Sequence, residues 1–90
     1  MACSKDITII NKLGLHARAA ARLVQTASRY EADITLKHNG REVSGKSIMG
    51  VMMLAAGKGS TITIISVGAD EKEALAEVEQ LFLDRFGEKE

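Results

Sequence analysis

The sequence predicts an α+β open-faced sandwich, in which helices cover one face of a sheet and the other face is exposed to solvent. Runs of β-branched residues alternate with stretches whose apolar residues recur at helical spacing. Asn39-Gly40, between two short strands, is the pair expected of a type I′ hairpin, which makes at least one strand pair antiparallel. Each amphipathic helix offers one apolar face, and together these faces cover one side of the sheet.

The expected order is strand, helix, strand, strand, helix, strand, helix, in one domain that spans residues 1–90. Strands are expected at about Lys5–Ile10, Ala32–His38, Arg41–Ser44 and Thr61–Val67. The apolar residues of the last run do not keep one phase, which predicts a bulge or a strand covered on both faces.

Helices are expected at about Ala17–Arg29 and Ile48–Leu54, and a third begins after Asp70. Asp70 and Glu73 match a capping box, and Gly87 is a suitable C-terminal stop. The apolar stripe of the first helix is Ala20, Leu23, Val24 and Ala27; that of the third is Ala74, Leu75, Val78, Leu81, Phe82 and Phe86.

Composition argues against several classes of partner. Twelve basic and twelve acidic residues cancel, so no net field attracts nucleic acid or an anionic membrane. No apolar stretch approaches the ~20 residues of a membrane span, and the N-terminus has no signal-peptide pattern. The single cysteine, Cys3, cannot form an internal disulfide, which fits a reducing compartment. We therefore expect a cytoplasmic monomer without a cofactor.

His16 stands where the first strand gives way to the first helix, after a turn over Asn11, Lys12 and Gly14. The first amides of a helix have no partner inside it, and they favour an anion. Arg18 follows closely, although basic residues are unfavourable in a first turn, which suggests another use for it and for Arg22. We interpret His16 as a phosphoryl acceptor whose neutral ring is the nucleophile. The alternative is a partly exposed loop histidine without a function.

Residues 40–47, Gly-Arg-Glu-Val-Ser-Gly-Lys-Ser, match the P-loop pattern of nucleotide-binding proteins. We reject this interpretation because Gly40 belongs to the hairpin turn and Arg41–Ser44 to a strand, whereas a P-loop wraps phosphates with a flexible loop. A nucleotide-binding module would lose its ATP affinity in Lys46→Ala.

Ser47 is placed to cap the second helix, which alone explains a serine there. It is also a candidate for phosphorylation, since a dianion is well placed at a helix N-terminus. Ile48, Met49, Met52 and Met53 cannot all point inward from so short a helix, so an exposed apolar contact surface is expected. Cys3, His16 and His38 lack metal-ligand spacing, and His38 is expected beside the hairpin turn, exposed.

Gly14-Leu15-His16-Ala17-Arg18 together with Gly45-Lys46-Ser47-Ile48-Met49-Gly50-Val51-Met52 resembles the histidine-containing phosphocarrier proteins (HPr) of bacterial phosphotransferase systems. The resemblance implies a four-stranded antiparallel sheet with three helices on one face. It implies that His16 accepts phosphate at Nδ1 from phosphorylated enzyme I, itself charged by phosphoenolpyruvate, and passes it to an enzyme IIA domain. Arg18 matches the active-site arginine, Ser47 the serine that an ATP-dependent kinase modifies in some members, and the helix after it the docking surface.

One departure concerns the pathway. Sugar-transport members usually carry His-Ala-Arg-Pro or His-Thr-Arg-Pro, whereas this chain has His16-Ala17-Arg18-Ala19 and no proline, which resembles the nitrogen-related (NPr-like) or regulatory branch. The alternative to a carrier is a non-catalytic regulatory domain that binds partners through the Met-rich helix at residues 47–54.

Overall fold

The structure is a computed structural model that describes residues 2–90 of the chain. Four strands lie at Ala2–Thr8 (β1), Asp33–His38 (β2), Arg41–Ser44 (β3) and Thr61–Val67 (β4). Three α-helices lie at Ala17–Ala27 (α1), Ile48–Met53 (α2) and Glu71–Leu83 (α3), followed by a single 3-10 turn at Arg85–Gly87. The predicted order of elements is confirmed. No helix in residues 2–90 combines the length and apolarity needed to cross a membrane.

The strands form one antiparallel sheet in the order β1-β4-β2-β3. The hairpin predicted at Asn39-Gly40 joins β2 to β3, and both turn residues have the positive φ that a type I′ turn requires, 50° and 80°. The three helices pack on one face, so the open-faced sandwich is confirmed. The core between sheet and helices contains Ile34, Leu36, Ile62 and Ile64 from the sheet, and Leu23, Val51, Val78 and Phe82 from the helices.

The first strand begins and ends earlier than predicted, at Ala2–Thr8 rather than Lys5–Ile10. Ile9 is buried but lies in a loop, where its backbone exchanges hydrogen bonds of 2.8 Å with Gly59 and Ser60. An apolar side chain therefore signalled burial there without signalling a strand. β3 and β4 have the predicted bounds, β2 begins one residue later and α2 ends one residue earlier than predicted, and α1 stops at Ala27 instead of Arg29.

The bulge predicted in β4 is wrong, as is the alternative of a strand covered on both faces. Its pairing with β1 runs without interruption from Thr61 to Val67. Ile62, Ile64 and Ser66 point into the core, and Ile65 lies half-buried on the open face. The alternation of inward and outward residues in β4 was misjudged because a serine, Ser66, occupies a core position and an isoleucine, Ile65, lies on the open face.

The capping box predicted at the start of α3 is also wrong. The Asp70 side chain makes no cap hydrogen bond; its carboxylate accepts the backbone N–H groups of Glu31 and Ala32 at 3.0 and 2.8 Å. These two bonds hold the pKa of Asp70 below its ordinary value, against the effect of desolvation. Asp70 thus ties the start of α3 to the loop that precedes β2.

The third helix ends at Leu83, four residues before the stop predicted at Gly87. Phe86, predicted to continue the helix stripe, lies in the 3-10 turn, where Arg85, Phe86 and Gly87 have φ values of 55°, 55° and 79°. The Phe86 ring is nevertheless fully buried and meets Phe82 edge to face, with centroids 4.8 Å apart. The turn therefore redirects the end of the chain while keeping its aromatic anchor in the core.

Candidate functional site

The loop before α1 is held close to the loop after α2. The backbone N–H of Leu15 donates to the Ala56 carbonyl at 3.0 Å. Gly14 has a φ of +66°, and a Cβ there would lie 2.5 Å from the same carbonyl oxygen. Only glycine fits both the left-handed backbone and this close approach. Gly14 therefore determines how the loop delivers the next residue but one, His16, to the start of the helix.

His16 is the N-cap residue of α1 by position, but its ring does not cap the helix. Its backbone is extended, its carbonyl accepts the Ala20 N–H at 2.8 Å, and its side chain is 28% exposed. The first turn of the helix contains no acidic residue, and its amides have no partner inside the helix. The ring thus lies at the positive end of α1 but accepts no hydrogen bond from the backbone N–H groups that create the positive potential.

The Nε2 atom of the ring is in contact with the Glu88 carboxylate, near the end of the chain. The other carboxylate oxygen of Glu88 accepts a hydrogen bond of 3.0 Å from the Asn11 side chain. Desolvation opposes ionisation of Glu88, but the hydrogen bonds from His16 and Asn11 outweigh it, so its pKa lies below the ordinary glutamate value. The surroundings predicted for His16 were entirely positive; the structure adds an ionised carboxylate to them.

Arg18 is exposed and lies beside His16 in an open depression. We call this the His16 depression; it is lined by Lys12, Leu13, His16, Ala17, Arg18, Glu88, Lys89 and Glu90. Arg22, the other arginine of the first two turns, is used differently, since its Nη1 donates to the Phe86 carbonyl. The sequence suggested a special use for both arginines. Arg18 lines the His16 depression, whereas Arg22 binds the backbone of the 3-10 turn that follows α3.

Ser47 and the predicted contact surface do not line the His16 depression but lie on α2, which packs against α1. The Ser47 hydroxyl accepts the Gly50 N–H at 3.1 Å, which confirms the predicted cap. The exposed apolar side chains of this helix, which we call the α2 patch, are Ile48 (44%), Met49 (70%), Met52 (41%) and Met53 (60%). The prediction that some methionine faces solvent is therefore confirmed.

The segment that matches the P-loop pattern is built as the sequence predicted. Arg41–Ser44 is a strand, and the Lys46 ammonium donates to the Tyr30 carbonyl at 2.8 Å. His38, predicted to be exposed beside the hairpin turn, is only partly exposed, and its Nδ1 lies 3.2 Å from the Thr61 carbonyl oxygen. Within residues 2–90 no cluster of three or more His, Cys, Asp or Glu side chains could hold a metal ion.

Sequence reasoning missed Asn11, Leu13 and Glu88. Asn11 was assigned to a turn, but it is fully buried and its amide donates to both Gly14 and Glu88. Leu13 is 65% exposed at the rim of the depression. Glu88 lies 72 residues from His16 in the chain, so no local pattern could connect the two. For Leu13, the one signal in the sequence is an apolar residue within the predicted turn, between Lys12 and Gly14.

Comparisons with a family model, with related sequences and with solved structures all point to one family. Residues 3–84 match the family described as PTS HPr component phosphorylation site. The phosphocarrier protein HPr of Cupriavidus necator is 56% identical over 86 residues, which cover 96% of this chain and 97% of that protein. That of Pseudomonas aeruginosa is 52% identical, over 94% and 96%. The crystal structure of HPr-C-His from Thermoanaerobacter tengcongensis superposes with a TM-score of 0.94 at 40% identity, over 98% and 99% of the two chains.

Proposed function

The chain belongs to the HPr family of phosphocarrier proteins, and we propose that His16 accepts a phosphoryl group from phosphorylated enzyme I and passes it to an enzyme IIA domain. Membership of the family implies partners in a phosphotransferase system. The observation that carries the assignment to His16 is its position: a half-buried ring at the N-terminus of α1, inside an open depression that it shares with Arg18.

The surroundings of the ring suit a group that is charged only temporarily. Nε2 contacts Glu88, so Nδ1 is the nitrogen left to attack phosphorus. After transfer, the first amides of α1 and the Arg18 guanidinium can meet the phosphoryl dianion with charge-assisted hydrogen bonds. Arg18 is exposed, so these bonds compete with water and do not trap the group. A carrier needs this balance because it must give up what it accepts.

The first test is labelling with phosphoenolpyruvate and enzyme I. We expect one acid-labile phosphate per chain, detected by intact-mass spectrometry, and none in His16→Ala. His38→Ala is the matched control, since it removes the other histidine of the sequence and should label fully. Full labelling of His16→Ala would overturn the proposal.

Arg18→Ala tests the role of the arginine. A hydrogen bond to a charged group is worth about 1.5–3 kcal/mol, which corresponds to a fall of about 10–160-fold in transfer rate if the bond forms only as charge develops. The fold should be unchanged. Arg29→Ala, which removes an arginine two residues beyond the end of α1 that pairs with Glu77, is the control. Equal rates for Arg18→Ala and the wild type would remove Arg18 from the mechanism.

We further propose that the α2 patch, with Ile48, Met49 and Met52 at its centre, is where partners dock, and that a kinase acting on Ser47 would regulate this docking. Exposed methionines adapt to different partner surfaces, and Ser47 opens the helix that carries them. Ser47→Asp is therefore expected to weaken binding to enzyme I in calorimetry. Ser4→Asp adds the same charge on β1 and should not; equal affinity of Ser47→Asp and the wild type would contradict the idea.

The same patch supports one alternative, a regulatory domain that binds partners through residues 47–54 and never carries phosphate. Such a domain would retain its partners in a pull-down with His16→Ala, and the wild type would remain unlabelled by enzyme I. Labelling at His16 decides between the two functions.

A further inference from the structure

The end of the chain, residues 85–90, is fastened to the body of the protein before it reaches His16. We call these residues the C-terminal segment. Its Phe86 ring is fully buried, and Arg22 of α1 donates to the Phe86 carbonyl. Gly87 has a φ of +79°, and a Cβ there would collide with the Arg22 guanidinium. These contacts set the direction in which the next residue, Glu88, leaves the turn.

Glu88 is held between two partners. Its side chain is only 15% exposed, less than that of His16, and its two oxygens are divided between the His16 ring and the Asn11 amide. Asn11 is fully buried, and its Nδ2 also donates to the Gly14 carbonyl at 2.8 Å. Both neighbours of that Nδ2 are acceptors, so rotating the amide would bring oxygen against oxygen. The amide therefore holds the carboxylate in one place.

We propose that Glu88 is a positioning residue for phosphoryl transfer, which keeps a proton on His16 Nε2 and so leaves the lone pair on Nδ1. The inference rests on the proposed function of His16 and adds a group to it. A carboxylate accepts hydrogen bonds and cannot donate one, so the ring nitrogen that faces it must carry hydrogen. In a neutral ring the other nitrogen is then unprotonated, which is the form that can attack.

The same contact serves both halves of the relay. As the Nδ1 lone pair forms the new N–P bond, the bond between phosphorus and the donor atom breaks, and its electron pair stays with the donor. The ring retains its Nε2 proton, and the positive charge that it gains faces the Glu88 carboxylate. When a lone pair of the acceptor atom forms its own bond to phosphorus, the N–P bond breaks and its pair returns to Nδ1, so that a neutral imidazole remains. No proton has to enter or depart in either step.

The tautomer can be measured without any phosphate. In ¹⁵N-resolved NMR of the unphosphorylated protein, the neutral His16 ring should be one tautomer with hydrogen on Nε2. Glu88→Ala should give a measurable fraction of the Nδ1–H tautomer. Glu90→Ala is the matched control, since Glu90 lies two residues on and pairs with Lys12 at 3.4 Å on the surface. An unchanged tautomer in Glu88→Ala would overturn the proposal.

The transfer assay gives a second readout. At metal sites, mutating the residue that holds a histidine ring lowers metal affinity or activity about 10–100-fold. Because the His16 ring is partly exposed, we expect the lower end of that range, transfer on the order of 10-fold slower in Glu88→Gln. Lys12, Arg18, Lys89 and Glu90 share the depression and are the same in both proteins.

The outcomes separate this inference from the function on which it rests. If His16→Ala is labelled, the proposed function fails. If His16 is the labelled residue, Glu88→Gln transfers at the wild-type rate and Glu88→Ala keeps the wild-type tautomer, only the role of Glu88 fails. Faster transfer by Glu88→Gln would also refute positioning, because it would mean that the carboxylate obstructs the incoming phosphoryl group.

Discussion

Replacing Phe86 by alanine is expected to destabilise the whole domain and to release the C-terminal segment from His16. The ring is fully buried and packs edge to face on Phe82. Truncating a buried phenylalanine costs about 3–5 kcal/mol. A chain of 90 residues has roughly 5–14 kcal/mol of total stability, taken at 0.05–0.15 kcal/mol per residue. Because Phe86 already has a φ of 55°, alanine adds no new backbone strain, and the loss is one of packing.

Urea unfolding followed by circular dichroism measures the effect, which should correspond to a fall in Tm of roughly 12–40 °C. Leu83→Ala is the matched control: Leu83 is 53% exposed at the end of α3, so its truncation should change the free energy of unfolding by about 0.5 kcal/mol or less. Under conditions where Phe86→Ala remains folded, the His16 ring signals should shift as they do in Glu88→Ala. A loss below about 1 kcal/mol would refute the view that the turn after α3 belongs to the core.

Three further effects can be tested by the same unfolding experiments. Ser47→Ala removes the cap of α2 and should cost about 1 kcal/mol, whereas no change would mean that the bond to Gly50 contributes nothing. Gly14→Ala should cost about 1–3 kcal/mol or more, because the backbone is left-handed and the new Cβ meets Ala56; Gly40→Ala, where a Cβ meets nothing within 4 Å, should cost less. The pKa of Asp70 is lowered in the folded state, so its contribution is complete above the ordinary aspartate pKa and is lost as the pH falls through the lower, folded value. Asp70→Asn should therefore flatten the acid side of the stability profile, and an identical profile would contradict this.

Local periodicity was sufficient to predict most of the fold. The stripe of α1 and the Asn39-Gly40 turn follow from spacing and from backbone preferences that act over a few residues. The third helix shows where this information ends. Phe86 follows Phe82 by four residues, the spacing of a helix, but a 3-10 turn with left-handed residues also brings that ring to the core. Spacing alone cannot distinguish the two, because both bury the same side chain.

The capping-box prediction was wrong because two sets of backbone N–H groups compete for the Asp70 carboxylate. An N-terminal aspartate can serve its own helix or another pair of donors, and Asp70 serves the amides of Glu31 and Ala32. Those amides lie 39 and 38 residues away in the chain, so their demand for an acceptor is invisible to a local motif. A side-chain oxygen near a helix start can therefore bond backbone donors elsewhere in the fold instead of those of its own helix.

The candidate site also contains residues that a local pattern can predict and residues that it cannot. His16 and Arg18 could be proposed from the sequence because the chemistry of a helix N-terminus is local: it needs only a turn, a glycine and the start of an amphipathic stripe. The state of the imidazole is not local, because it is proposed to depend on the Glu88 carboxylate from the C-terminal segment. Asn11 of the first loop binds that carboxylate, and Arg22 of α1 fixes the segment through the Phe86 carbonyl. A carrier has to present one nitrogen to two successive partners, and a ring held only by its own backbone could turn either nitrogen outward. In the proposed mechanism, the backbone of α1 therefore determines where the phosphoryl group can sit, and the C-terminal segment determines which ring nitrogen receives it.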